Sequence, residues 1–83
     1  MELSLNRTLQ ALADPKRREI LQMLGEGDKT AGELAARFDI SAPSVSHHLS
    51  VLKNADLVRS ERNGQTIVYS LNSTVVQEFL QEI

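Results

Sequence analysis

The residues best suited to chemistry lie between Ile40 and Lys53, in the run ISAPSVSHHLSVLK. Ser44, Ser46, His47 and Ser50 are short donors and acceptors interleaved with the apolar Val45, Leu49 and Leu52. On a helix, at about 100° per residue, the three apolar side chains fall within one arc. His47 lies nearly opposite them, with Pro43, Ser50 and Asn54 beside it and Ser44 and Ser46 on the flanks. Short polar groups on the free face of a helix can lie against base edges in a major groove, which makes double-stranded DNA the first partner to consider. In that reading Ser44, Ser46 and His47 contact bases, and Ser41 and Ser50 position against phosphate.

Other chemistries fit these residues less well. Adjacent helical residues point about 100° apart, so His47 and His48 cannot grip one ion. The chain has no cysteine and no third histidine, which also removes disulfides and thiolate sites, and neither a metal nor a cofactor is expected. The serines near His47 lack an orienting acid at suitable spacing, so no catalytic set and no enzyme activity are expected. His48 falls beside the apolar arc and reads as a partly buried histidine that packs and hydrogen-bonds locally. Arg62, Asn63, Gly64 and Gln65 form a second polar cluster suited to phosphate or minor-groove contact. Lys16, Arg17 and Arg18 open a helix, where the dipole disfavours positive charge. Arg17 shares a side with Ile20, Leu21 and Leu24, so it reads as structural, with its guanidinium paired to Asp14 or Asp56. Lys16 and Arg18 read as a solvated face. Glu78 and Glu82 stand four apart and read as a polar helix face rather than a cation site.

Helices and a hairpin must hold these groups. A first helix is expected over about 4–13, from Leu5, Leu9 and Leu12. Asp14-Pro15 stops it and caps a second, which carries Ile20, Leu21 and Leu24 and ends at Gly25 and Gly27. Thr30 and Glu33 form a capping box for a short third helix with Leu34, Ala35 and Phe38. After a tight turn at Asp39-Ile40, Ser41 caps the fourth helix, and Ile40 and Val45 have the spacing of a hydrophobic staple. Residues of about 30–55 thus form a helix-turn-helix. Beyond Ala55 the period changes to two. Leu57 to Arg62 and Gln65 to Leu71 read as strands joined at Asn63-Gly64 by a type I′ turn, a wing of about 57–71. Val58, Ile67, Tyr69 and Leu71 share one face of that hairpin, opposite Arg59, Glu61, Thr66 and Val68. Asn72 or Ser73 can cap a last helix over about 73–83. The expected fold is mainly α with a small antiparallel β-hairpin: a winged helix-turn-helix.

With 83 residues, the chain is one domain, of a size that buries only a modest share of its surface. Leu5, Leu9 and Leu12 on the first helix, and Val76, Phe79, Leu80 and Ile83 on the last, suggest a surface completed by a second subunit. The alternative is that these helices pack on each other within one chain. No apolar run is long enough for a bilayer, and no basic region precedes an apolar block at the N-terminus; a soluble, cytoplasmic protein without membrane insertion is expected. The net charge of −2 argues weakly against nucleic acid, but the middle and tail differ. Ile40 to Gln65 holds three bases against two acids, whereas Asn72 to Ile83 holds only Glu78 and Glu82. A DNA binder of this balance would make few phosphate contacts and bind with strong salt sensitivity.

The segments ALADPKRREILQML, TAGELAARFDISAPSVSHHLSVLKNADLV and RNGQTIVYSLN resemble the ArsR-type winged-helix repressors over nearly the whole chain. The most specific element is S-x-P-S-V-S-H-H-L-x-x-L at Ser41 to Leu52, supported by A-D-P-x-R at Ala13 to Arg17. The phrases TAGELAARF and GQTIVYSLN, with the short length, are most similar to the small autorepressor-type members. The resemblance implies a homodimer built from the first and last helices that binds an imperfect inverted repeat and blocks transcription. Many relatives are relieved by a metal held at third-helix cysteines or at His/Asp sites in the last helix. Here the third helix has Leu34, Ala35, Ala36 and Arg37, and the last has no histidine, so metal sensing is not carried over. Relief by a protein partner that captures the repressor, or by autoregulated abundance, then stands open. A second departure is Asp56, where relatives end the recognition helix with glycine. A metal- or ligand-responsive sensor of the same fold and a winged helix used only for protein contacts are the alternative readings.

Overall fold

The computed structural model describes the chain over residues 2–82, and its side chains over residues 5–77. Five helices and three strands follow in the order α1 (Glu2–Leu12), α2 (Pro15–Glu26), β1 (Lys29–Thr30), α3 (Ala31–Phe38), α4 (Ala42–Asn54), β2 (Val58–Asn63), β3 (Thr66–Leu71) and α5 (Ser73–Glu82). The helix boundaries follow from cap chemistry. The Asp14 carboxylate accepts the Lys16 N–H at 2.7 Å and the Arg17 N–H at 3.2 Å, with Pro15 in the first turn of α2. The Thr30 hydroxyl accepts the Glu33 N–H at 3.1 Å, and the Glu33 carboxylate accepts the Thr30 N–H at 2.8 Å, which completes the capping box of α3.

The hairpin is not alone. Lys29 and Thr30 pair antiparallel with β3, opposite Tyr69 and Val68, so the sheet has three strands in the order β1-β3-β2. Two residues are too few to show a period of two. Thr30 also serves as the N-cap of α3, and its extended backbone (φ −86°, ψ 162°) suits both roles. Between β2 and β3 the register pairs Val58 with Leu71 and Asn63 with Thr66. That leaves Gly64 and Gln65 at the centre of the turn, not Asn63 and Gly64. Gly64 has φ 69°, and neither Asn63 nor Gln65 has positive φ. Positive φ at the first central position alone is the type II′ requirement, so the expected type I′ turn is corrected by one residue of register. The expected faces stand: Val58, Tyr69 and Leu71 point to the core side, while Ile67, near the tip, is exposed.

The core forms where these elements meet. Ile20, Leu34, Val45, Leu49, Leu52 and Leu57 are fully buried, one from each of α2 and α3, three from α4 and one from the turn before β2. Burial of each such side chain contributes about 1.5–3 kcal/mol. Ile40 packs against this cluster and Val45 lies within it, as the staple spacing required. The start of α2 is stitched to the end of α1. Arg17 Nε donates to the Ala11 carbonyl at 2.7 Å and its Nη2 to the Gln10 carbonyl at 3.0 Å, while Arg18 Nη1 donates to the Leu12 carbonyl. Two cations thereby satisfy the last carbonyls of α1, at the end where the dipole favours positive charge. Arg17 also stands 3.9 Å from Asp14, the expected partner, but the Arg18 side chain is engaged rather than free.

Candidate nucleic-acid interface

The α4 helix begins with its cap. The Ser41 hydroxyl accepts the Ser44 N–H at 3.2 Å and donates to the Ser44 hydroxyl at 3.0 Å. Ser41 is therefore engaged within the first turn, whereas the Ser44 hydroxyl keeps its own hydrogen for an outside acceptor. Val45, Leu49 and Leu52 are buried, and Pro43, Ser44, Ser46, His47 and Ser50 are exposed, so the wheel's two faces are realised. The helix thus offers a row of short hydroxyls and one imidazole on a firmly packed back.

At its other end, α4 closes through a residue in the left-handed region. Asp56 has φ 60°; its N–H donates to the Lys53 carbonyl at 2.9 Å, and the Leu57 N–H donates to the Leu52 carbonyl at 3.0 Å. Asn72 Nδ2 donates to the Asp56 carbonyl at 3.0 Å, and the Asn72 N–H donates to the Leu57 carbonyl at 2.9 Å. The start of α5 is thus tied to the exit of the helix that carries the candidate site, and the Asn72 side chain is turned away from the capping role its position suggested. Asp39, which ends α3, is also left-handed (φ 54°, ψ 45°) and sets the turn into α4.

The two histidines separate as expected. Their ring centroids are 5.9 Å apart and tilted by 54°, with His47 exposed and His48 half-buried. His48 Nδ1 is buried and makes no hydrogen bond, so the expected local bond is absent: the ring is held by packing. Desolvation lowers the His48 pKa, the Asp14 charge opposes this, and Arg17, His47 and Lys16 add to the lowering. For Asp14, desolvation acts upward but is outweighed by the Arg17 and Lys16 N–H donors, with help from His48 and Arg17, and the carboxyl sits below its usual range. Lys16 pairs with Glu19 at 3.0 Å and lies 4.9 Å over the Phe38 ring, so it braces α2 against α3.

The wing tip presents Arg62, Asn63, Gly64 and Gln65, all exposed. A Cβ on Gly64 would meet nothing within 4 Å, so glycine is there for its backbone alone. Of the apolar residues assigned to a subunit contact, Leu5 and Leu9 are 44% and 51% exposed on α1, large values for leucines on a helix. Leu12 and Val76 are half-buried and pack on the core; Phe79, Leu80 and Ile83 lie outside the residues whose side chains are described. Sequence reasoning placed Asn54 on the polar face of α4 but left it out of the site. It also gave no role to Arg7, Lys53 and Arg59, which surround the end of that face.

Residues 14–60 match the family described as bacterial regulatory protein, arsR family. The chain is 51% identical over 74 residues to the transcriptional repressor SdpR of Bacillus subtilis (strain 168), covering 89% of this chain and 82% of that protein. It is 45% identical over 75 residues to the HTH-type transcriptional regulator NmtR of Mycobacterium tuberculosis (strain ATCC 25618 / H37Rv), covering 90% of this chain and 62% of the longer relative. In three dimensions it matches the homodimeric winged helix-turn-helix DNA-binding domain Mb0332 of Mycobacterium bovis at TM-score 0.85 and 26% identity, over 94% of this chain and 73% of that one.

Proposed function

The chain belongs to the arsR family of bacterial regulatory proteins, and from that premise we propose that it represses transcription as a homodimer on an inverted-repeat operator. The carrying observation is the two-faced α4 helix: Val45, Leu49 and Leu52 buried, and Ser44, Ser46, His47 and Ser50 exposed in one polar row. Ser44, Ser46 and His47 read base edges, with Pro43 in van der Waals contact in the same groove. Ser41 and Ser50 position against phosphate. Arg62, Asn63, Gly64 and Gln65 at the wing tip engage the flanking backbone or minor groove. Similarity to a protein named as a transcriptional repressor, and to a homodimeric DNA-binding domain, supports this reading.

The sensing step is proposed to need neither metal nor thiol. The chain has no cysteine, and the third helix offers Leu34, Ala35, Ala36 and Arg37, none of which is a metal ligand. Relief of repression then falls to another agent, such as a protein that captures the repressor. A thermal-shift panel of divalent metals checks the point, since a ligand bound at 100 times its Kd stabilises by about 2.7 kcal/mol. Specific stabilisation by one metal would sink the metal-free reading.

Selection from random duplex DNA tests the main reading. An enriched inverted repeat is expected. His47→Ala should then cost about 1–3 kcal/mol of discrimination at one base position in each half-site. Unchanged affinity and preference would remove His47 from the reading set, and recovery of no sequence at all would overturn the proposal.

A further inference from the structure

The polar row on α4 does not stop at Ser50. Ser46, Ser50 and Lys53 stand at i, i+4 and i+7, and Pro43, His47, Ser50 and Asn54 at i, i+4, i+7 and i+11, so two neighbouring lines run to the end of the helix. There they enter an open depression lined by Lys53, Asn54 and Asp56, with Arg7 from α1 and Arg59 from β2. All five side chains are exposed. Three cations face one carboxylate, a local excess of positive charge on a chain whose net charge is −2. Among the described residues, neither ion pair involves Arg7, Lys53 or Arg59, and their side chains donate no hydrogen bond. Arg17 and Arg18, by contrast, are spent on the carbonyls of α1.

We propose that Arg7, Lys53 and Arg59 form a second phosphate-binding patch. It would grip the backbone at the edge of the groove that α4 enters, with Asn54 as a neutral donor between the base-reading row and the cations. The proposal rests on the DNA-reading role given to α4 above. At about 1.5 Å rise per residue, Asn54 lies about 10 Å along the axis from His47. A major groove is about 12 Å wide, so a helix whose middle reads bases brings its end close to the bordering phosphates. Arginine and lysine without internal partners suit that contact, because phosphate neutralisation carries affinity but no sequence information. The patch also answers the charge problem: an acidic chain can hold DNA if its few unpaired cations are gathered beside the reading row.

The test is the salt dependence of binding to a duplex bearing the sequence selected above. For B-DNA the slope of log K against log salt changes by about 0.9 per phosphate contact. Because each residue occurs in both subunits of the bound dimer, the double variant Lys53→Gln/Arg59→Gln should lose about 3.6 from the slope, and Arg7→Gln about 1.8, with the preferred sequence unchanged. Lys29→Gln, an equal loss of charge on β1, should leave the slope as it is. Lys53→Arg/Arg59→Lys keeps both charges and should restore it, which separates a charge effect from a folding defect; thermal melting of each variant checks the fold directly. A double variant with the wild-type slope overturns the patch while leaving the reading helix standing. A shifted base preference with an unchanged slope would make these base-contacting residues and overturn it as well. A wild-type chain with no sequence-preferring binding overturns both this proposal and the reading beneath it.

Discussion

At the scale of single residues, the two neighbouring histidines of α4 have opposite fates because one step along a helix turns a side chain through about 100°. His47 is exposed in the polar row, and His48 is half-buried within reach of the Asp14 charge, with Nδ1 buried and unbonded. Desolvation lowers the His48 pKa in the fold, with the Asp14 charge opposing it. The folded protein therefore binds fewer protons at this site than the unfolded chain. The stability tied to neutral His48 is complete above its unfolded pKa near 6.5 and is lost as pH falls through the lower folded value. Asp14 behaves the same way in a more acidic window, because its folded pKa lies below the ordinary 3.8. Denaturant midpoints measured from pH 7.5 to 5 should decline for the wild type and stay flatter for His48→Gln. Equal slopes for the two proteins would show that His48 ionises in the fold as freely as in the unfolded chain.

At the scale of elements, the breaks between helices were legible in the sequence because each is written in cap chemistry. Asp14-Pro15, Thr30 with Glu33, and Ser41 all occupy the positions their residue types announced. Features that depend on partners distant along the chain were not legible. The two-residue strand β1 exists only because β3 lies beside it. The basic opening of α2 looked unfavourable when weighed against its own dipole, and makes sense only once Arg17 and Arg18 reach the carbonyls of α1. For the site, periodicity alone gave the exposed face of α4, whereas the cations from α1 and β2 needed the fold to bring them to its end. The turn was placed one residue early because Asn-Gly fits type I′, while the pairing of Asn63 with Thr66 puts Gly64 first in the turn. Gly64→Ala should then destabilise by about 1–3 kcal/mol from backbone strain alone, since the added Cβ would meet nothing within 4 Å. Chemical denaturation measures this, and an unchanged midpoint would show that the wing shifts register freely. Asp56 presents the converse case at φ 60°. Asp56→Gly removes left-handed strain of about 1 kcal/mol or more. It also adds unfolded-state freedom that costs about 0.4–1 kcal/mol. The terms nearly cancel, so a stability change under about 1 kcal/mol is expected, whereas Asp56→Val should lose clearly more. Comparable losses for Gly and Val would mean that the Asp56 side chain, rather than its backbone, closes α4.

At the scale of the whole molecule, α1 has, among the described residues, an apolar outer surface that the single chain leaves unfinished. Arg17 and Arg18 bind its last carbonyls and Ala11 enters the core, yet Leu5 and Leu9 remain 44% and 51% exposed. Exposed leucines one turn apart on a small domain carry a cost in water that a second copy would remove, and a two-fold axis there makes each contact serve twice. The same axis would set two α4 helices about 34 Å apart, one turn of B-DNA, and so demand a repeat with two-fold symmetry. Leu5→Glu/Leu9→Glu should therefore separate assembly from folding. Its melting should remain cooperative, because the altered positions lie outside the core. Sedimentation should change from dimer to monomer, and the operator should be held only at half-site strength, with the affinity gained from two linked half-sites lost. The linkage predicts that DNA and dimer fail together. A variant that remains dimeric would move the subunit contact away from α1. A monomeric variant that still binds the full inverted repeat with wild-type affinity would break the connection between subunit symmetry and operator symmetry, which is the feature of the proposed function that a single chain cannot supply.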